Sequence, residues 1–325
     1  SPLAESNTPV WGTCPSITAI PDANFEQALI DYNLDSGEID GQVLTANING
    51  VTGINLDGFN ISDLTGIEGF TALEYLRCDY NQLKRLDVSQ NTALNYLECH
   101  NNALTSLDVS QNTALNYLEC HNNALKSLDV SQNTALEILA SYDNQLTELI
   151  VSSNPALKIL TCNSNNLTTL DLSSNTNLEV LSVGNNQLET LDIRNGNNAS
   201  ITNFNSTGNL NLSCIFVDNP SETNDSWQID PDTFFVADEA ECKALSIADH
   251  GFELGLSVYP NPTDNYLLIG GGKTPASISI YNLLGKEVLS VKNTHSVDVK
   301  ELSSGVYFIR ISDGMGQVER HFIKN

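Results

Sequence analysis

Two neighbouring segments of the chain place a histidine two residues after a glutamate, Glu98 with His100 and Glu119 with His121. Imidazole and carboxylate groups are suitable zinc ligands, which makes these four residues candidates for a metal site. The segments are also near-identical copies, since Thr92–Asn112 reads TALNYLECHNNALTSLDVSQN and the next 21 residues differ from it at one position. Duplicated copies carry the same residues whether or not they have a function. We therefore expect no metal and no other cofactor.

Cysteine recurs at the same spacing and fills one position of the repeated segment in most of its copies: Cys78, Cys99, Cys120 and Cys162, with Ser141 and Val183 in the remaining two. Polar residues lie on either side of this position, so alternation along a strand predicts that its side chain points inward. Cysteines in register on adjacent strands point the same way, which does not suit a disulfide dihedral. We predict a buried row of free thiols that act as small apolar side chains. Outside this row, Cys214 and Cys242 are expected to pair, and the state of Cys14 is left open.

The sequence motifs of common catalytic sites are missing. The chain contains no HExxH, no GxSxG, no phosphate-binding Walker loop and no GxGxxG. The three glycines at 270–272 are interpreted as a turn and not as a phosphate-binding loop. We therefore predict that the protein is not an enzyme, and an exported hydrolase with an unrecognised site stays as the weakest alternative.

The elements that position these side chains follow from a 21-residue repeat, whose copies begin at Thr71, Thr92, Thr113, Thr134, Pro155 and Thr176. The pattern LxxLxCxxNxLxxLDVSxN resembles a leucine-rich repeat over about residues 51–219. Cysteine in the strand position and the 21-residue period are similar to the internalin-type surface repeats of bacteria. This resemblance implies a solenoid built on a curved parallel sheet, with a concave face for binding.

Each repeat is expected to contain one short strand. Leu76 and Cys78 alternate with Tyr75, Arg77 and Asp79, so the apolar side chains point inward and the polar ones outward. Stacked copies form a parallel sheet with strands about 4.8 Å apart. Because 21 residues leave little room for a helix, the return segment should be extended or 3₁₀. Asparagines at the end of each strand should satisfy backbone groups in the turn: Asn81, Asn102, Asn123, Asn144, Asn165 and Asn186.

The segments on either side of the repeats are expected to seal the solenoid, because exposed ends would destabilise the stack. Residues 21–34 place apolar side chains at helical spacing behind Asp22, which predicts an amphipathic helix with an N-cap. After the repeats, an acidic segment between Cys214 and Cys242 carries Trp227, Phe234 and Phe235. It resembles the C-terminal cap of exported bacterial repeat proteins.

The C-terminal part of the chain differs from the repeats in its sequence pattern. SVYPNPTDNYLLI, ASISIYNLLGKEVLSV, HSVDVKELSSGVYFIRI and QVERHFIKN are alternating strand patterns separated by turn residues, which predicts a small Ig-like antiparallel β-sandwich. In this order they resemble the type A sorting domain of type IX secretion cargo. The resemblance implies recognition by the outer-membrane machinery (translocon, shuttle and sortase) through residues 256–325. It also implies a protein that passes through the periplasm and is secreted or anchored at the surface, with its signal peptide already removed.

The net charge also differs between residues 1–255 and residues 256–325. Residues 256–325 hold seven basic and six acidic residues, so the residues before them hold the other seven basic and 34 acidic residues, a net charge of −27. This difference indicates a domain boundary. An acidic body of this kind is repelled by phosphate, so we expect no nucleic-acid partner. We divide the chain into an N-terminal extension and helical cap (1–50), repeats (51–219), a C-terminal cap and linker (220–255) and the sorting domain (256–325).

The outward positions of the first repeats are the predicted ligand-binding residues: Tyr75, Arg77, Tyr96, Glu98, His100, Tyr117, Glu119, His121 and Tyr142. A tyrosine row flanked by acids suits contact with an unknown protein or glycan. Stacked tyrosines can equally serve only to stabilise one another. The leading hypothesis is an adhesin or recognition module, and the alternative is a structural surface or matrix component without a discrete ligand.

Overall fold

The structure, a computed structural model, describes residues 15–224, 226–247, 257–270, 275–312 and 317–325. They form two compact units, one ending at Ala237 and the other beginning at Asp238. Cys14 lies outside the described residues. No helix in the described part is long and apolar enough to span a membrane.

The described part of the first unit contains short strands, two α-helices, α1 (Ala23–Asp31) and α2 (Thr45–Ile48), and three 3₁₀ helices (Ile67–Gly69, Asn198–Ser200 and Pro220–Glu222). Its strands are β1 (Ile17–Ala19), β2 (Gln42–Leu44), β3 (Gly53–Asn55), β4 (Tyr75–Arg77), β5 (Tyr96–Glu98), β6 (Tyr117–Glu119), β7 (Ile138–Ala140), β8 (Ile159–Thr161), β9 (Thr169–Asp171), β10 (Val180–Ser182), β11 (Thr190–Asp192), β12 (Asn203–Asn205), β13 (Cys214–Phe216) and β14 (Phe234–Val236).

One strand of each repeat joins an eight-stranded parallel sheet in the order β12-β10-β8-β7-β6-β5-β4-β3. The pairing keeps the repeats in register, so that Leu76 lies opposite Leu97 and Leu97 opposite Leu118. These central leucines are fully buried. The predicted leucine-rich-repeat solenoid with its parallel sheet is therefore confirmed.

The return side of the solenoid is extended, and in the later repeats it forms a second parallel sheet. This four-stranded sheet has the order β14-β13-β11-β9. An isolated bridge between Asp87 and Asp108 continues the same pairing into the earlier repeats. The second sheet runs on through β14, inside the segment interpreted above as cap and linker.

The asparagines at the strand ends connect adjacent repeats. The Asn165 carboxamide oxygen accepts a hydrogen bond from the backbone N–H of Leu146 (2.9 Å), and its NH₂ group donates to the carbonyls of Ser141 (3.0 Å) and Cys162 (3.1 Å). The corresponding asparagines of the other repeats make the same contacts. Each one closes its own turn and fixes the preceding repeat against it.

Replacing Asn165 by alanine should therefore destabilise the solenoid. We expect the free energy of unfolding to fall by about 1–3 kcal/mol for each buried group left unpaired. Asn166→Ala is the matched control, since the Asn166 carboxamide accepts only an exposed hydrogen bond from Gln187 (3.1 Å), and it should cost less than about 0.5 kcal/mol. Thermal denaturation of both variants measures the difference, and equal losses would contradict the structural role of Asn165.

The cysteine row is buried and free, as predicted. Cys78, Cys99, Cys120 and Cys162 are all fully buried and unpaired. Burial raises the pKa of the Cys120 thiol and of the Cys162 thiol to about 12. The thiols therefore stay protonated and pack as small apolar groups.

Two substitutions at Cys99 test this environment. Cys99→Val should change the melting temperature little, because Val183 fills the same position in another repeat and is also fully buried. Cys99→Asp buries a carboxylate without a partner and should lower the free energy of unfolding by about 3–5 kcal/mol. Equal destabilisation by both substitutions would show that this position is not apolar.

Both ends of the repeats are closed by apolar packing. Helix α1 begins behind Asp22, whose carboxylate accepts from the backbone N–H groups of Asn24 (2.9 Å) and Phe25 (3.1 Å). At the other end the Trp227 ring stacks on Phe204, with 4.8 Å between centroids, and its indole N–H donates to a backbone carbonyl. Cys214 and Cys242 form the predicted disulfide.

The second unit contains α3 (Glu239–Ile247) and two antiparallel sheets. The sheets have the orders β15-β16-β19 and β18-β17-β20-β21. Their strands are β15 (Ser257–Tyr259), β16 (Tyr266–Gly270), β17 (Ser277–Asn282), β18 (Glu287–Lys292), β19 (Ser296–Asp298), β20 (Gly305–Ser312) and β21 (Gln317–Lys324). Side chains from both sheets, among them Leu267, Val297 and Ile309, form one buried core. This arrangement agrees with the predicted small β-sandwich.

Candidate functional site

The outward side chains of β4 to β7 and of the residues just after these strands form one surface, which we call the concave face. Alternation along each strand turns Tyr96 and Glu98 away from the core-facing Leu97. In-register pairing then places Tyr117 beside Tyr96 and Glu119 beside Glu98. Side chains that are 21 residues apart in sequence thus become direct neighbours.

Three tyrosines stack along this face. The ring centroids of Tyr75 and Tyr96 are 4.5 Å apart, and those of Tyr96 and Tyr117 are 4.1 Å apart with the planes 10° from parallel. The Tyr96 hydroxyl donates to Glu98, and the Tyr117 hydroxyl donates to Glu119. Tyr96 and Tyr117 therefore each contact a neighbouring ring and the carboxylate on their own strand.

Arg77 is the cation at the N-terminal edge of the concave face. Its Nε lies 2.7 Å from an oxygen of Glu98 and 3.4 Å from one of Asp79, and its Nη2 lies 3.7 Å from Asp57. Hydrogen bonding to Asp79 raises the pKa of the Arg77 guanidinium further above its usual range. Burial and the neighbouring Asp79 raise the pKa of the Asp57 carboxyl.

The histidines form a second stack next to the tyrosines. The ring centroids of His100 and His121 are 4.2 Å apart, and those of His121 and Tyr142 are 4.0 Å apart. His100 Nε2 lies 3.7 Å and His121 Nε2 lies 3.5 Å from the same oxygen of Glu119, Oε2. His100 Nε2 is also 3.5 Å from Asp79 Oδ2. The two imidazoles therefore point their Nε2 atoms at one carboxylate.

These side chains are less exposed than their outward positions indicate. Glu98, His100 and His121 are 7–8 % exposed, and Asp79 is fully buried. The three stacked tyrosines are half-buried. Packing between repeats covers side chains that alternation alone assigns to solvent.

Protonation in the cluster follows from this packing. Burial and the neighbouring His121 lower the pKa of His100, so its ring is neutral near pH 7. A hydrogen bond with His121 lowers the pKa of Glu119, which stays ionised. Burial and the hydrogen bonds to Glu98 and Glu119 raise the pKa values of Tyr96 and Tyr117 well above the usual range, so both hydroxyls stay protonated.

Several residues that complete the cluster were not predicted from the sequence. Asp57 comes from the divergent repeat before β4, and Tyr80 packs edge-on against His100 with 5.4 Å between centroids. Asn101 and Asn122 follow the two histidines, and each has a positive φ of 51°. Their side-chain amides form hydrogen bonds with Nδ1 of the preceding histidine ring. Asparagine at one repeated position is a signal for a left-handed turn that sequence analysis could have used.

Among the described residues, two groups of three side chains have ligand atoms close enough to hold a metal ion. One consists of His100, Glu119 and His121, and the other of Asp79, Glu98 and His100. Within each group the ligand atoms all lie within 4.8 Å of one another. Duplication of the repeat explains why these residues recur, but it does not predict that their ligand atoms converge.

Comparison with known proteins identifies the C-terminal part of the chain. Residues 257–325 match the family model described as the secretion system C-terminal sorting domain. This match confirms the predicted type IX sorting domain, and with it a protein that is secreted or attached at the outer-membrane surface. No curated protein sequence matches the chain.

Solved structures of repeat proteins resemble this chain. An internalin C2 from Listeria monocytogenes is 17 % identical, with 69 % of this chain and 99 % of that chain covered and a TM-score of 0.53. The functional domain of InlJ from the same species, described as including a cysteine ladder, is 19 % identical over 96 % of this chain and 99 % of its own, with a TM-score of 0.37. The chain is thus a leucine-rich-repeat solenoid with an internalin-like fold that carries a type IX secretion sorting domain at residues 257–325.

Proposed function

We propose that the protein is a surface or secreted recognition module that binds a protein or glycan through the concave face. The observation that carries the proposal is the concentration of aromatic and ionisable side chains on β4 to β6 and on the residues just after these strands, up to Tyr142 after β7. The equivalent strand positions from β7 onward lack such groups: Ile138, Ala140, Ile159, Thr161, Val180 and Ser182. Aromatic and ionisable side chains are therefore concentrated on one half of the sheet, which supports that half as the binding surface.

The groups on this half suit recognition of a partner. Tyr75, Tyr96 and Tyr117 offer apolar ring area with a polar tip, the combination that is enriched among residues with large contributions to binding. Three carboxylates, those of Asp57, Asp79 and Glu98, surround the guanidinium of Arg77, and the body of the protein is strongly acidic. Complementarity of charge favours a partner with basic or hydroxyl-rich groups over an anionic one.

A structural surface component is the second candidate, and one observation favours it. The tyrosine rings stack on one another, and the hydroxyls of Tyr96 and Tyr117 donate to carboxylates of the same face. The polar groups of these side chains therefore have hydrogen-bond partners without a bound ligand. In that case the repeats would serve mainly as a stable spacer on the cell surface.

Arrays of proteins and glycans, probed with the labelled full chain, separate these candidates. If the protein is a recognition module, a small number of arrayed proteins or glycans should retain the labelled chain after washing at physiological ionic strength. A structural component predicts no reproducible hit. The second partner is the secretion machinery, and we propose that translocon, shuttle and sortase components contact the sorting domain and not the solenoid.

A further inference from the structure

His100, Glu119 and His121 form a cluster of metal-ligating side chains, and the proposed binding function gives this cluster no role. Both histidines are more than nine-tenths buried, and both direct Nε2 at Glu119 Oε2, at 3.7 Å and 3.5 Å. Two ligand atoms bound to a tetrahedral zinc ion at about 2.0–2.1 Å lie about 3.4 Å apart. The observed separations are close to this spacing before any ion has drawn the ligands together.

Surrounding side chains hold the three ligand groups in place. Asn101 Nδ2 lies 2.8 Å from His100 Nδ1, Asn122 Nδ2 lies 3.2 Å from His121 Nδ1, and the Tyr117 hydroxyl donates to the other oxygen of Glu119. Outer partners of this kind orient metal ligands. A metal on Nε2 requires the imidazole proton on Nδ1, and the asparagine amides can accept it by turning their oxygen toward the ring.

Charge favours this set over the other candidate set. Glu98 and Asp79 are already paired with Arg77, at 2.7 Å and 3.4 Å, so a cation between them would meet a fixed positive charge. Glu119 has no guanidinium or ammonium partner among the ion pairs of the described residues. A divalent cation on Glu119 would therefore neutralise charge where the protein leaves it uncompensated.

We propose that His100 Nε2, His121 Nε2 and Glu119 Oε2 bind one zinc ion. Two imidazoles and one carboxylate are a ligand set of catalytic zinc sites, in which the fourth position holds water or an incoming ligand. The histidine rings are stacked 11° from parallel, so binding requires them to rotate until both lone pairs meet at the metal. The Tyr142 hydroxyl, 3.2 Å from His121 Nε2, must release that nitrogen.

Titration of the metal-stripped full chain with zinc chloride tests the proposal. Calorimetry should show one zinc per chain, and mass spectrometry of the dialysed protein should recover the same ratio. X-ray absorption should show two imidazole nitrogens and oxygen in the first shell, with zinc–nitrogen distances of about 2.0–2.1 Å. Absence of stoichiometric zinc in the unmodified chain would overturn the site.

Substitutions of the proposed ligands test where the zinc ion binds. His100→Gln with His121→Gln should weaken zinc binding by more than about a hundredfold, since loss of outer partners alone costs about 10–100-fold. Glu119→Gln keeps the shape of the side chain and should also weaken binding, which covers the case in which the double variant is unstable. Glu137→Gln with His295→Gln removes the same residue types elsewhere and should leave the affinity unchanged. Retention of zinc by the first two variants, or equal binding of calcium, would contradict a histidine-based site.

Discussion

Deletion of residues 256–325 should leave a folded solenoid that fails to reach the cell surface or the medium. The expected result is a nearly complete loss of export, because these residues are the sorting domain and the repeats form a compact unit with a buried core of their own. The truncated protein should accumulate in the periplasm of a host with type IX machinery. Fractionation and immunoblotting, with the same N-terminal export signal on both forms, measure the distribution.

Two controls make this deletion informative. The melting temperature of the truncated chain should stay close to that of the solenoid in the full protein, because the two units have separate cores. Fusion of residues 256–325 to an unrelated periplasmic reporter should carry that reporter out. Export of the truncated chain at normal levels would show that the solenoid itself contains the signal.

The repeat explains why much of the fold could be predicted from the sequence. A strict 21-residue period fixes which residues share a position, so burial of Cys99 and hydrogen bonding by Asn165 follow for all copies once they hold for one. The second sheet could not be predicted in the same way. Its strands, such as β9 and β11, are only three residues long, and they form because neighbouring return segments lie within pairing distance.

The candidate site was predicted less completely than the fold. Alternation correctly placed Glu98, His100 and His121 on the face opposite the leucines, but it implied free exposure that the structure does not show. Their burial arises from ring stacking and ion pairing across repeats, which depend on side-chain conformation and not on period. Asp57 joins the cluster from a repeat whose pattern is irregular, so no positional rule identified it.

Stacking also changes what is expected when the tyrosines are removed. Tyr96→Ser with Tyr117→Ser abolishes the ring contacts at 4.5 Å and 4.1 Å and frees Glu98 and Glu119. Each aromatic pair contributes about 0.5–1.5 kcal/mol beyond the area it buries, so the variant should be measurably less stable. If the concave face binds a partner, affinity for the strongest array hit should fall by well over tenfold, since loss of aromatic anchors costs about 2 kcal/mol or more.

Two further variants separate binding from stability. Tyr96→Phe with Tyr117→Phe retains the stacked rings and removes only the hydroxyls, so it should stay close to the unmodified protein in melting temperature while testing whether the hydroxyl–carboxylate pairs contribute to recognition. Ser110→Ala with Ser131→Ala changes the return side of the same repeats and should leave binding intact. Unchanged affinity in the serine variant of the tyrosines, measured below its melting temperature, would exclude the tyrosine row from the binding surface. Recognition would then have to be sought in the caps, where Trp227 and Phe235 pack together within a strongly acidic segment.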